Sequence, residues 1–250
     1  MGSELPSNTC VVLVRTLYPS NIGSTARAMA NMGTQRLILI DPQCERSASK
    51  AKMAAAAAQD ILANAVEYNS LADFYAHEGQ GLRIALTRRP GKRRELHPLP
   101  DTLAALVDSG HLQPSTPLYL IFGPEDNGLA SEDLELVNRC AELPTFGANG
   151  SLNLSQAVLL ALFLTQQLFK ERWSNISMTE TPQFTRLEFP DAVIREWIQS
   201  IGFNIEARKA SAYLTVKRLL MQNLASPEDL HVLESILQQT VRKLKDPISS

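Results

Sequence analysis

Three short stretches place polar side chains and glycines where chemistry on a bound ligand is feasible. The first is Asn21-Ile22-Gly23-Ser24-Thr25-Ala26-Arg27, an amide followed by a glycine and then a guanidinium. The second is Phe122-Gly123-Pro124-Glu125-Asp126-Asn127-Gly128-Leu129, which holds a carboxylate between two glycines. The third is the loop Gly147-Ala148-Asn149-Gly150-Ser151-Leu152-Asn153, which leads into the apolar run 158–164. Glycine lets backbone N–H groups approach a ligand because no Cβ stands in the way. An amide, a carboxylate and a guanidinium can together orient a hydroxyl and steady a developing negative charge. Each stretch also admits a plainer role: Arg27 as a solvent-facing helix residue, the Glu125 segment as an ordinary turn, Ser151 as a helix cap.

The elements that must position these stretches alternate. Apolar runs at 10–14, 36–40, 82–86 and 118–122 predict strands buried on both faces, with short strands at 66–68 and 141–143. Helices are expected at 22–32 (closed by Gly33), 49–58, 71–77 and 101–107, from Ser131, and through the apolar run. Residues 18–21 read as a turn, and Asn21 and Gly23 suit a tight one. The pattern predicts an α/β fold with a mostly parallel sheet, whose ligands sit outside the carboxyl ends of the strands. The loops after residues 86, 122 and 143 are the expected rim. Residues 158–164 are apolar on nearly every side, so their helix is expected to be covered twice, by the core and by a partner subunit.

Beyond residue 172 the pattern changes. Residues 1–172 form the α/β domain, 173–189 a polar linker, and 190–250 a small all-α C-terminal domain. Its helices are expected near 191–201, 206–223 and 227–244, the last with Ser226 as its N-cap.

A formal net charge of −2 argues against a surface coated in positive charge. The local run 88–94 is different. Its five cations, Arg88, Arg89, Lys92, Arg93 and Arg94, lie beside the expected rim and suit phosphates, although a solvated loop is the bland alternative. Arg208, Lys209, Lys217 and Arg218 would extend that track. Three isolated cysteines and four scattered histidines show no metal-ligand spacing, so no metal is expected. No apolar run is long enough to span a bilayer and no signal peptide is evident, which predicts a cytoplasmic protein without membrane contact. The absence of GxGxxG after the first strand argues against a nicotinamide-dependent dehydrogenase.

In order, N-x-G-x-x-x-R, FG-x-E-x-x-GL and LP-x(7)-SLN-x-S resemble the three motifs of the SPOUT-class (SpoU/TrmH superfamily) RNA ribose 2′-O-methyltransferases. The resemblance covers about the first 172 residues. In the tail, Ile201-Gly202-Phe203 and Lys217-Arg218-Leu219-Leu220 are similar to the TrmJ branch, which methylates a ribose in the tRNA anticodon loop. The resemblance implies a deep trefoil knot in the C-terminal part of the α/β domain, a homodimer, and S-adenosylmethionine as cofactor. It implies that Thr87, Gly123, Leu143, Gly150, Ser151 and Leu152 line the cofactor pocket. Asn21, Arg27, Glu125 and Asn153 would surround the reacting ribose. The implied target is cytidine or uridine at tRNA position 32; another tRNA position, ribosomal RNA, or a catalytically silent RNA-binding role are the alternatives. Methyl transfer from a sulfonium needs no metal, because the cofactor carries the leaving group. The protein must place a ribose hydroxyl in line and help its proton leave. A guanidinium stays protonated at any ordinary pH, so Arg27 is expected to clamp a phosphate and stabilise the alkoxide rather than act as a base.

Overall fold

The computed structural model describes residues 8–78, 81–89, 96–148, 150–173, 189–203, 212–222 and 227–245. The chain divides into two compact units, Met1–Phe184 and Thr185–Ser250.

In the first unit seven strands make one sheet: β1 (Thr9–Val14), β2 (Arg36–Ile40), β3 (Val66–Tyr68), β4 (Leu82–Leu86), β5 (His97–Pro98), β6 (Leu118–Phe122) and β7 (Arg139–Glu142). Their order is β3-β2-β1-β6-β4-β7-β5, and every pairing is parallel. A parallel sheet needs cover on both faces. It comes from α1 (Pro19–Asn31), α2 (Ser49–Ala55), α3 (Gln59–Ala63), α4 (Leu71–Glu78), α5 (Leu99–Asp108), α6 (Ser131–Leu134) and α7 (Leu154–Trp173). Strands β1, β4 and β6 are accordingly buried along their whole length. The register sets Leu13 and Leu86 beside Phe122, and Ala141 beside Leu86, so four strands end nearly level.

Several boundaries depart from the sequence pattern. Helix α1 begins at Pro19, whose fixed φ and missing N–H suit a first helical position. Asn21 therefore lies in its first turn, and Gly23 lies inside the helix rather than in a tight turn. A Cβ added at Gly23 would meet Ala51 O at 2.0 Å, so the glycine serves the crossing of α2 against α1. Gly33, at φ 71°, ends α1 as expected. The helix expected at 49–58 stops at Ala55, where Ala56 takes φ 51°. Strand β7 starts at Arg139, earlier than expected, and β5 adds an edge strand that the pattern does not signal.

The amino end of the sheet holds a buried polar cluster. Glu78 accepts hydrogen bonds from Tyr68 Oη at 2.7 Å and Tyr119 Oη at 3.2 Å, and pairs with Arg36. The Arg83 guanidinium lies 4.2 Å from the Tyr75 ring centre. Burial pushes the nearby Cys10 thiol up to about 12, so it stays protonated and inert. On α7, Val158, Ala161, Leu162, Thr165 and Phe169 face the core, whereas Leu159 and Phe163 are 37% and 45% exposed. Among the described residues this helix packs one face on the core and leaves the other open.

The second unit contains α8 (Asp191–Ser200), α9 (Ala212–Gln222) and α10 (Pro227–Lys245), with no strand among its described residues. Ile194, Ile198, Tyr213 and Leu237 form its core. Asp191 ties α8 to α9: it accepts hydrogen bonds from Tyr213 Oη and, at 2.9 Å, from Lys217 Nζ. Lys217 is thereby engaged internally rather than offered to a basic track. Residues 174–188, the Ser226 cap, Arg208 and Lys209 lie outside the described residues. No helix among the described residues is long and apolar enough to cross a membrane.

Candidate active site

Because β1, β6, β4 and β7 end level, the loops that follow them converge on one cavity of about 720 Å³. That volume suits a ligand of cofactor size. Its lining includes Asn21 from α1; Thr87, Arg88 and Arg89 after β4; Gly123 and Glu125 after β6; Leu143 after β7; and Gly150, Ser151, Leu152 and Asn153 before α7.

Glu125 joins two of these loops. Its Oε2 accepts the Leu17 N–H at 3.0 Å and its Oε1 accepts Asn21 Nδ2 at 2.7 Å. With Nδ2 held by the carboxylate, Asn21 Oδ1 turns toward Asn153, whose Nδ2 lies 3.4 Å away. Asn153 Oδ1 accepts the Ser155 N–H at 3.0 Å and the Ser155 hydroxyl at 2.8 Å, and so caps α7. The cap is Asn153, not Ser151. Each side chain in this series fixes the orientation of the next. A carboxylate oxygen can accept more than one hydrogen bond, so the group retains capacity for a ligand hydroxyl.

Arg15 and Asp133 brace the same two loops. Arg15, at the carboxyl end of β1, has φ 50°, an uncommon conformation for a residue with a Cβ. Its Nη1 lies 3.2 Å from Asp133 Oδ1, and its Nη2 pairs with Oδ2. Asp133 Oδ2 also accepts the Ala130 N–H at 2.7 Å, closing the loop that carries Glu125. Neither residue stands out in the sequence, where no spacing rule connects positions 15 and 133. The Leu17 N–H has no signal at all, since any residue but proline supplies one.

Within these loops, glycines allow close approach. A Cβ at Gly123 would lie 2.3 Å from Leu129 N, and one at Gly150 would lie 2.0 Å from Arg88 Nη1. The Thr87 N–H donates to Ala141 O at 2.9 Å, extending the β4–β7 pairing by a residue. Thr87 Oγ1 then accepts the Arg89 N–H at 3.0 Å, which starts the turn bearing Arg88. Lys92, Arg93 and Arg94 lie outside the described residues.

The sequence profile of the SpoU rRNA Methylase family matches residues 8–163, a span that holds β1 through the first half of α7. The chain belongs to this family. It is a methyltransferase, as its three motifs imply. It is 29% identical over 242 residues to the tRNA (cytidine/uridine/adenosine-2′-O-)-methyltransferase TrmJ of Pseudomonas aeruginosa (strain UCBPP-PA14), a match covering 92% of each chain. TrmJ from Z. mobilis ZM4 has a similar crystal structure, with a TM-score of 0.68 at 25% identity, over 95% of this chain and 99% of that one. A structure bearing on the 2-OH methylation of C/U34 on tRNA matches with a TM-score of 0.52 at 26% identity, over 67% of this chain and 99% of that one.

Two residues of this SpoU-family chain stand apart from its cavity. Arg27 is exposed and does not line it. Six residues beyond Asn21 on a helix means about 9 Å along the axis and about a third of a turn around it. The structure therefore brings Asn21, Glu125 and Asn153 together but leaves Arg27 outside. Cys44 is half-buried, with its Sγ–H directed at Thr16 O, 3.4 Å away. Burial, and then the negative charge of Glu125, raise its pKa, so it is a thiol rather than a thiolate nucleophile. Among the described residues no group of His, Cys, Asp and Glu could hold a metal ion.

Proposed function

We propose that this methyltransferase is an S-adenosylmethionine-dependent ribose 2′-O-methyltransferase acting in the cytoplasm on tRNA, at cytidine or uridine 32 of the anticodon loop. The observation that carries the reading is the Glu125–Asn21–Asn153 series, which shares one cavity with the close-packed backbone at Gly123 and Gly150. The cavity's volume, its glycine-bounded walls and the apolar Leu143 and Leu152 fit the proposed cofactor, which Thr87, Gly123, Leu143, Gly150, Ser151 and Leu152 would hold. When bound, that cofactor supplies an electrophilic methyl group on a sulfonium. Glu125, oriented by Asn21, accepts the hydrogen bond of the ribose hydroxyl. Arg88 and Arg89, with Lys92, Arg93 and Arg94, neutralise RNA phosphates, so binding weakens with salt. Arg27, outside the cavity, meets RNA that extends past its mouth and clamps a phosphate there; its distance from the cavity removes it from direct contact with the developing alkoxide.

The TrmJ likeness runs along both units, which favours position 32; the C/U34-related structure covers 67% of the chain and makes position 34 the second reading. The reading also takes residues 1–172 as the methyltransferase domain with a deep trefoil knot, 173–189 as a linker and 190–250 as a helical domain. The open face of α7 is the homodimer contact, an apolar patch that meets its own copy. Phe163→Glu should then sediment as a monomer, and a variant that stays dimeric would remove that contact from the reading. The function itself is tested by transfer from labelled cofactor to unmodified tRNA, followed by mass-spectrometric mapping of the methylated nucleotide. Glu125→Gln should lose about 10²-fold in kcat, and Arg27→Ala should weaken tRNA binding and raise KM more than it lowers kcat. No incorporation into any RNA by the wild type would overturn it.

A further inference from the structure

A second cavity of about 720 Å³ lies at the same edge of the sheet, beyond the ends of β2 and β3. The loop of residues 41–48 lies between it and the first. That loop is fastened to the segment after β1 that leads into the first cavity: the Gln43 N–H donates to Thr16 O at 3.0 Å, and Cys44 Sγ reaches the same oxygen. The next residue is Leu17, whose N–H Glu125 accepts. In the strand order β2 is two places from β6, which leads to Glu125, and neighbouring strands lie about 4.8 Å apart, so the second cavity begins about 10 Å from the ribose-holding group. We infer that it receives the nucleobase next to the target nucleotide in the RNA chain, an inference that rests on the RNA-methyltransferase reading above.

The lining suits a flat, neutral heterocycle. Arg46 and Lys52 are balanced by Glu45 and Glu67, which disfavours a phosphate or a metal ion as occupant. Arg46 is held rigidly: Nε donates to Glu67 Oε1 at 2.6 Å, and Nη1 to Leu62 O at 2.5 Å and Ala63 O at 2.9 Å. A guanidinium plane fixed in this way is a stacking surface for a base, and its Nη2 can still donate to an acceptor. Gln43 Nε2 donates to Asp41 O at 2.8 Å, and Gln59 Nε2 to Lys52 O at 2.6 Å and Ala56 O at 2.9 Å. With both amide nitrogens committed to carbonyls, a flipped amide would set oxygen against oxygen, so the outward atom of each is an acceptor. A donor and two acceptors complement a base edge, which carries both amino groups and lone pairs. A polynucleotide always presents a neighbour to the nucleotide being modified, so occupancy here would make methylation depend on sequence context.

The test uses three tRNA transcripts sharing the mapped target: intact, lacking the base on its 5′ side, and lacking the base on its 3′ side. Methyl-transfer rates are measured with wild type, Gln43→Ala and Arg46→Lys, the last keeping the charge but losing the plane; calorimetry reports S-adenosylmethionine affinity in each. One abasic transcript should lower the wild-type kcat/KM by about 5- to 150-fold, the range that base stacking contributes. The same transcript should cost Arg46→Lys and Gln43→Ala little beyond what they lose on intact RNA, with cofactor affinity unchanged. Equal wild-type rates on all three transcripts, or losses that simply multiply, would overturn the inference and leave the methyltransferase reading standing. If the wild type methylates no RNA, both fall.

Discussion

Gly123→Ala and Gly150→Ala form a matched pair that separates backbone crowding from side-chain crowding. At Gly123 the new carbon would stand 2.3 Å from Leu129 N and 2.5 Å from Gly128 C. Ordinary non-bonded contact begins near about 3.5 Å, so these atoms must retreat by about 1 Å. Both belong to the backbone, and Leu129, only 8% exposed, is part of the core cluster. Overpacking costs about 1–3 kcal/mol, and the stiffer unfolded chain returns only about 0.4–1 kcal/mol. The net loss of about 1–2 kcal/mol corresponds to about 2–8 °C in Tm for a unit of this size. Glu125 rides on the same loop, and a 1 Å misplacement is of the size that lowers turnover about 10²-fold. At Gly150 the overlap is closer, 2.0 Å, but its partner is the tip of the exposed Arg88. That side chain can swing aside, so stability should hold within about 0.5 kcal/mol while the Arg88 guanidinium, the proposed phosphate contact, is displaced. Thermal unfolding, cofactor calorimetry and methyl-transfer kinetics on the same preparations distinguish the two. Gly123→Ala should be destabilised and nearly inactive; Gly150→Ala should melt like wild type with a raised KM for tRNA. The reverse ranking, or a Gly123→Ala protein that melts and turns over as wild type does, would refute the contact argument.

Two other perturbations follow from the ion pairs. Asp133→Asn keeps the side chain's shape but removes the charge facing Arg15 and weakens the closure of the Glu125 loop. Stability should fall by about 1–3 kcal/mol, with kcat reduced more than KM; unchanged melting would show that the pair braces nothing. In the helical unit, burial alone would raise the pKa of Asp191. The hydrogen bonds from Tyr213 and Lys217, the Lys217 charge and the Arg195 bond outweigh it and hold the carboxyl below its usual range. A depressed carboxylate contributes stability that is fully present above its unfolded value near about 3.9 and is lost as pH falls through the native one. Urea unfolding, followed by Trp197 fluorescence in a Trp173→Phe background, should therefore show this unit weakening below about pH 4. Asp191→Asn should flatten that dependence, and a wild type with no acid limb would contradict the assignment.

The strands were legible because burial on both faces leaves a compositional trace that needs no period, as in CVVLV at β1 and LYLIF at β6. The polar residues of the site were legible as types within three motifs, but their connections were not. Glu125 is held by the Leu17 N–H, a group common to nearly every residue. The segment Ser151-Leu152-Asn153 offers two cap-forming side chains, and the choice depends on where packing starts α7. Along α7 itself, apolar content cannot distinguish a core from a partner: Val158 and Leu162 meet the sheet's side, while Leu159 and Phe163 are left open by the same run. Arg27 is the most instructive case. Pro19 carried the signal that α1 starts early, and once it does, helical geometry alone separates positions 21 and 27 by about a third of a turn. Two groups so divided do not face one small-molecule cavity from one chain. They can act on a common substrate if that substrate reaches beyond the cavity mouth, as the nucleotides flanking a target in a polynucleotide do. The offset of Arg27 from Asn21, which breaks a simple picture of one catalytic pocket, is thus compatible with a polymeric substrate and not with a small molecule confined to the cavity.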